Sequence, residues 1–206
     1  MNIKDMTDTV RRFVIRRSFL FSIGFTFLFS IYNRIIGIMK MSLWHESISI
    51  YYLLLSVVKL VLYLTILKKP MLKSNKKFHI VVKSILYLSN LLVLLPVVLM
   101  LTDRRSVDVS ISFSIAIAIY VFFKTTSSII NFLKNKRGNI FVAEFKTIEL
   151  MDSVISILTL QNTLILINGS YLDQTTYYIS LIISAIGVLF NFYLVYRMKL
   201  EKFKLE

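Results

Sequence analysis

A single lysine stands inside an apolar run long enough to cross a bilayer. In SISIYYLLLSVVKLVLYLTIL, residues 47–67, Lys59 is the sole charge. Ser49, Tyr52, Ser56, Lys59 and Tyr63 recur around it at 3-4-3-4 spacing, which on a helix is one face. Glu149, Asp152, Ser156, Thr159 and Thr163 repeat that spacing further along the chain. One stripe carries a cation and the other two carboxylates, so their chemistry is ion pairing and the lining of a polar path through lipid. Leaving an ammonium against hydrocarbon costs about 2.5–3.5 kcal/mol on insertion scales. No carboxylate lies between residues 47 and 102, which makes Asp152 and Glu149 the candidate partners of Lys59. Counted along the helices, Lys59 lies about 12 Å and Asp152 about 6 Å from the inner edge, a gap that a lysine stem spans by bending inward. The expectation is a Lys59–Asp152 pair, with Glu149, Ser56, Tyr52 and Ser156 completing the polar path.

The elements that must carry these stripes are helices of membrane-spanning length. The chain has 206 residues, 56% of them hydrophobic and 17% charged, with mean hydropathy +0.71. A helical span needs about 20 apolar residues, because the hydrocarbon core is roughly 30 Å thick. Spans are expected at about 18–39, 48–67, 80–101, 109–130, 148–168 and 175–197, joined by connections too short to hold a soluble domain. The expected fold class is therefore all-α, a polytopic six-helix transmembrane bundle. A basic segment, 1–17, precedes it, and a basic tail, 198–206, follows it. SISFSIAIAIY in span four alternates like a strand, but the other spans lack the dyad pattern of a β-barrel. As a helix it presents Ser110, Ser114 and Ala118 as a small-residue stripe for close packing.

The formal net charge of +14 invites a nucleic-acid reading, which its distribution opposes. Basic residues cluster before span one (Lys4, Arg11, Arg12, Arg16, Arg17), around Lys68–Lys83, at Lys134–Lys146 and from Arg197 onward. The alternate connections are close to neutral. Lys and Arg favour cytoplasmic loops, so both termini are expected inside a cell membrane, with the basic segment drawn to anionic lipid of the inner leaflet. The basic start followed by a long apolar run reads as an uncleaved signal anchor. Pro96 should kink span three, and Pro70 and Gly138 mark connections. Trp44, Tyr51, Tyr52, Tyr171, Tyr177 and Tyr178 are expected at the outer interface, and Tyr193 and Tyr196 at the inner one. Span one carries Ser22, Thr26, Ser30, Asn33 and Gly37, and span six Ser180, Ser184, Gly187 and Asn191, both read as packing seams. Asn168-Gly169-Ser170 is a sequon that also reads as a turn.

Catalytic constellations are not apparent. His45-Glu46 lacks the second histidine of a zincin motif, and the other histidine is His79. There are no cysteines, so thiolate chemistry is excluded. KNKRGN around Gly138 lacks P-loop spacing. The expectation is no enzyme, no metal and no cofactor.

Residues 32–59, YNRIIGIMKMSLWHESISIYYLLLSVVK, together with FVAEFKTIELMDSVISILTLQNTLI at 141–165, resemble an uncharacterised family of small six-span bacterial membrane proteins. More distantly, Asn33, Gly37 and Ser42, and the segment from Ala143 to Ser156, are similar to the membrane domain of cation diffusion facilitators. That resemblance implies six spans, inner termini and a homodimer. It does not imply zinc transport: span two has no carboxylate, and Thr147 and Met151 fall at the span-five ligand positions, with Asp152 one residue off. The functional expectation is a transporter-like protein for a small solute or ion. The alternatives are an S component of an energy-coupling-factor importer with an ATPase partner, or an accessory or immunity protein. Against the S component, Ser22, Thr26 and Ser30 stand where its alanine seam in span one would be.

Overall fold

The computed structural model describes residues 3–68, 76–99, 111–134, 140–168 and 174–200. These form six helices: α1 (Ile3–Lys40), α2 (Leu43–Lys68), α3 (Lys76–Leu99), α4 (Ile111–Lys134), α5 (Ile140–Asn168) and α6 (Gln174–Leu200). Four contain stretches long and apolar enough to cross a membrane: Arg17–Met39, Leu43–Thr65, Val142–Ile165 and Tyr178–Met198. The apolar stretches of α3 and α4, Phe78–Leu94 and Ile117–Leu133, are shorter. Pro70, Ser110, Gly138, Gly169, Ser170 and Tyr171 lie outside the described residues, as do 201–206 of the basic tail. The basic start and span one are one helix, continuous over 38 residues. α3 continues through position 96 to Leu99.

α2 and α5 form the centre. α1 and α3 flank α2, α4 and α6 flank α5, and α3 packs on α6. The faces are sorted by polarity in the sense a lipid solvent demands. Ile35, Ile38, Leu53, Val57, Leu60, Ile119, Phe122, Ile182, Ile186 and Leu189 are exposed on the outside. Ser30, Asn33, Ser49, Ser56, Asp152, Ser156, Thr159, Thr163, Ser184 and Asn191 are buried between helices. With no aqueous outer surface to reward polar groups, the stripes turn inward, where Ser30, Ser156 and Asn191 hydrogen-bond across helices and Asn33, Ser56, Thr159 and Thr163 donate to carbonyls of their own helix. Gln161 also bonds across helices, donating to Ser180 Oγ at 2.6 Å.

The α1–α2 connection is built for close approach. The Ser42 amide donates to the Gly37 carbonyl at 3.0 Å, and Met41 takes φ 50. That is the Schellman pattern, with Met41 at the left-handed position. The Ser42 carbonyl then accepts the Glu46 amide at 3.1 Å and opens α2. A Cβ at Gly37 would sit 2.7 Å from Glu46 Cγ and 3.0 Å from its backbone nitrogen, so only glycine lets the helices meet so tightly.

The aromatic residues expected at the two interfaces divide by burial. Trp44, Tyr51 and Tyr52 are buried, whereas Tyr178, Tyr193 and Tyr196 are exposed. Tyr51 and Tyr52 stack edge to face at 5.3 Å on the inward side of α2, so packing outweighs the interfacial preference of both rings, helped at Tyr52 by its hydrogen bond with Ser156.

Candidate functional site: a charged triad beside a cavity

At the α2–α5 contact, Lys59 and Asp152 are both fully buried, with Nζ 2.5 Å from Oδ2. Lys59 also donates to Thr26 Oγ1 at 2.8 Å and Ser22 Oγ at 3.1 Å, both on α1. Its three ammonium protons therefore have three acceptors. The other carboxylate oxygen, Oδ1, accepts from Lys124 of α4 at 2.5 Å. One aspartate thus holds two lysines, one on each oxygen.

The surrounding hydroxyls fit this charge pattern. Ser156 Oγ donates to the Asp152 carbonyl at 2.8 Å. It must then accept from Lys124 at 2.8 Å and from the Tyr52 hydroxyl at 2.9 Å. Thr26 directs its one proton to Asp152 Oδ2 or to the Ser22 carbonyl, at 2.9 and 2.8 Å. The ring centroids of Phe29, Tyr52 and Tyr120 lie 6.0, 5.5 and 5.6 Å from Lys124 Nζ. Those distances are within cation–π range.

The triad adjoins open space. A cavity of about 330 Å³ lies between α1, α4 and α5, walled by Ser22, Phe25, Tyr120, Lys124, Glu149 and Asp152 among others. Ser18 of α1 and Ser127, Ser128 and Asn131 of α4 extend the polar wall away from the triad. Lys124 is the partly exposed member, at 12%. Glu149 sits one turn from Asp152 on the same wall.

Of the expected path residues, Lys59, Asp152, Tyr52 and Ser156 come together around one carboxylate. Ser56 does not join them; its hydroxyl donates to the Leu53 carbonyl of its own helix at 2.8 Å. The α2–α5 seam itself is packed with Tyr51, Tyr52, Leu55, Ile148 and Ile155, and the space lies one helix over, against α1 and α4. Lys124 is the member that the two-stripe reading does not contain. The signal for it is the row Tyr120, Lys124, Ser127 or Ser128, Asn131, a 4-3-4 spacing on one face of α4. A second buried pair is also new: His79 Nδ1 of α3 lies 2.6 Å from Glu144 Oε1 of α5.

Thr147 turns its hydroxyl to the Ala143 carbonyl at 3.0 Å, and Met151 is buried apolar surface. Among the described residues, no group of three or more His, Asp or Glu side chains is placed to hold a metal ion. Compared with protein-family models, curated proteins and solved structures, the chain matches none of them. What can be stated of its identity rests on its own residues: a helical chain whose apolar helices are those of an integral membrane protein.

Proposed function

We propose that the protein is a six-span transporter-like membrane protein with both termini cytoplasmic, carrying a small solute or ion past Asp152. The observation behind this reading is the buried Lys59–Asp152–Lys124 triad opening through Lys124 onto a cavity with both polar and aromatic walls. Ionisable groups in the interior of a membrane bundle mark ion or solute pathways more often than glue. A triad needed only for helix association would be served by a closed pair, with no space beside it. α3 and α4 are taken as the remaining spans because each is 24 residues long, about 36 Å of helix, and packs alongside the longer ones. Basic residues collect at the ends of the helices that would face the cytoplasm.

The test is solute flux into liposomes holding the purified protein, over a panel of small cations, anions and neutral solutes. The expected result is uptake of one class above protein-free vesicles, reduced several-fold or more by Asp152→Asn. No class taken up would remove the transporter reading in favour of an accessory role. Uptake dependent on a co-purifying ATPase would replace it with the importer subunit.

A further inference from the structure

We propose that the cavity beside Asp152 is a binding site for a small organic ammonium ion. The ligand's ammonium takes the place of Lys124's own at Asp152 Oδ1, while Lys124 moves one turn along α5 to Glu149. The inference rests on the transporter-like reading of this site and names its substrate class.

Three observations carry it. First, the position at Asp152 Oδ1 is already shaped for an ammonium, because one fills it. A carboxylate oxygen at 2.5 Å, a serine hydroxyl at 2.8 Å and three rings within 6.0 Å surround Lys124 Nζ. Carboxylate plus aromatic faces is the chemistry that recognises amine cations. Second, the cavity wall holds two carboxylates, Asp152 and Glu149, against the single ammonium of Lys124. With Lys59 counted behind Asp152 the four charges balance, so selectivity for a cation rests on the two carboxylates that line the space, while Phe25, Tyr120 and Phe123 offer apolar surface to an organic body. A volume of about 330 Å³ is at the lower end for small-molecule sites and far exceeds the space a bare metal ion requires.

Third, the two lysines of the triad are not equivalent. Lys59 is fully buried and uses all three protons. Lys124 is partly exposed, faces the cavity and has two hydrogen bonds. Glu149 lies three residues before Asp152 on α5, about 4.5 Å along the axis, and Ser127 and Ser128 line the way. A lysine stem covers that distance, so Lys124 keeps a carboxylate partner when it yields Oδ1. Lys59 is the fixed counter-ion, and Lys124 a tethered competitor for the ligand.

A tethered competitor lowers apparent affinity by the fraction of time it holds the site. Removing it therefore tightens binding, the opposite of what loss of a ligand-contacting residue would do. The test is thermal unfolding of the detergent-purified protein with benzylammonium, benzyl alcohol or benzoate at equal ionic strength. These three probes share a shape and differ in charge. Stabilisation by benzylammonium alone is expected, reached in Lys124→Gln at concentrations about tenfold lower. Glu149→Gln is expected to weaken binding several-fold, since Lys124 loses its second partner; this variant decides the matter if Lys124→Gln does not fold. Equal or greater stabilisation by benzoate, or by benzyl alcohol, would overturn the proposal. So would benzylammonium binding no tighter in Lys124→Gln, or undiminished in Glu149→Gln. Uptake of benzylammonium into proteoliposomes is measured beside it. Binding of benzylammonium with no uptake of any solute class leaves the site and removes the transporter reading. Uptake of another solute without benzylammonium binding does the reverse.

Discussion

Around Asp152, donors and acceptors are matched: two ammoniums share two carboxylate oxygens, and hydroxyls of Thr26, Ser156 and Tyr52 fill the remaining positions. Elsewhere in the bundle, Asn90 on α3, Asn162 on α5 and Ser184 on α6 are as deeply buried. Their side-chain polar atoms have no hydrogen-bond partner among the described residues. The difference follows charge. An unmatched ion in hydrocarbon costs several kcal/mol, whereas an unmatched neutral amide costs about 1–3 kcal/mol. Among the described residues the second kind of mismatch stands at Asn90, Asn162 and Ser184, whereas at Asp152 both carboxylate oxygens are compensated. Where the chain commits two lysines to one aspartate, it does so with full compensation, and the described cavity adjoins the partly exposed Lys124.

The largest effect expected from breaking the matched region is Asp152→Asn. It strands two ammoniums at once and should lower stability by about 3–5 kcal/mol, read from unfolding in detergent. Lys59→Met should destabilise less, because Asp152 keeps Lys124. A double-mutant cycle between the two positions sharpens this: coupling of about 1–3 kcal/mol is expected, and additive effects would dissolve the pair. Lys124→Gln comes next, at about 1–2 kcal/mol, because its ammonium is partly exposed and its loss leaves a carboxylate still held by Lys59. His79→Phe removes a buried partner from Glu144 and is expected to destabilise by a comparable 1–3 kcal/mol or so.

How far the sequence leads can be judged at the same residues. Helices over all six apolar stretches are legible because length and hydropathy are local properties. The inward stripes are legible because 3-4 spacing survives any packing arrangement. Lys59 and Asp152 stand out as charges within such stripes, and the structure sets them together. Lys124 is harder to find: FFKTTSS follows a run whose alternation draws attention to small residues, and no carboxylate shares its helix to suggest a charged site. His79 and Glu144 meet across 65 positions and two connections, and nothing local announces that contact. The cavity is least legible of all, since its wall draws residues from three helices, α1, α4 and α5. Tyr51 and Tyr52 mislead in the other direction. Their position near a span end suggests the interface, and only the helix face they occupy sends them inside.

The unmatched region yields the smallest and most diagnostic effect. Asn162→Leu and Asn90→Leu replace amides with apolar side chains of similar shape at positions where the chain offers no hydrogen-bond partner. Polar contacts between membrane helices average only about 0.6 kcal/mol, so little is lost even if a bridging molecule is displaced. Removal of a desolvated amide should leave stability unchanged or raise it by about 1 kcal/mol, unless the extra methyl volume strains the neighbours. Asn162→Ala separates the two causes, because it removes the amide without adding bulk. If both substitutions at 162 destabilise as much as Lys124→Gln, the amide is matched after all. The contrast between a compensated charged site and a tolerated neutral one would then give way to a second polar site in the same bundle.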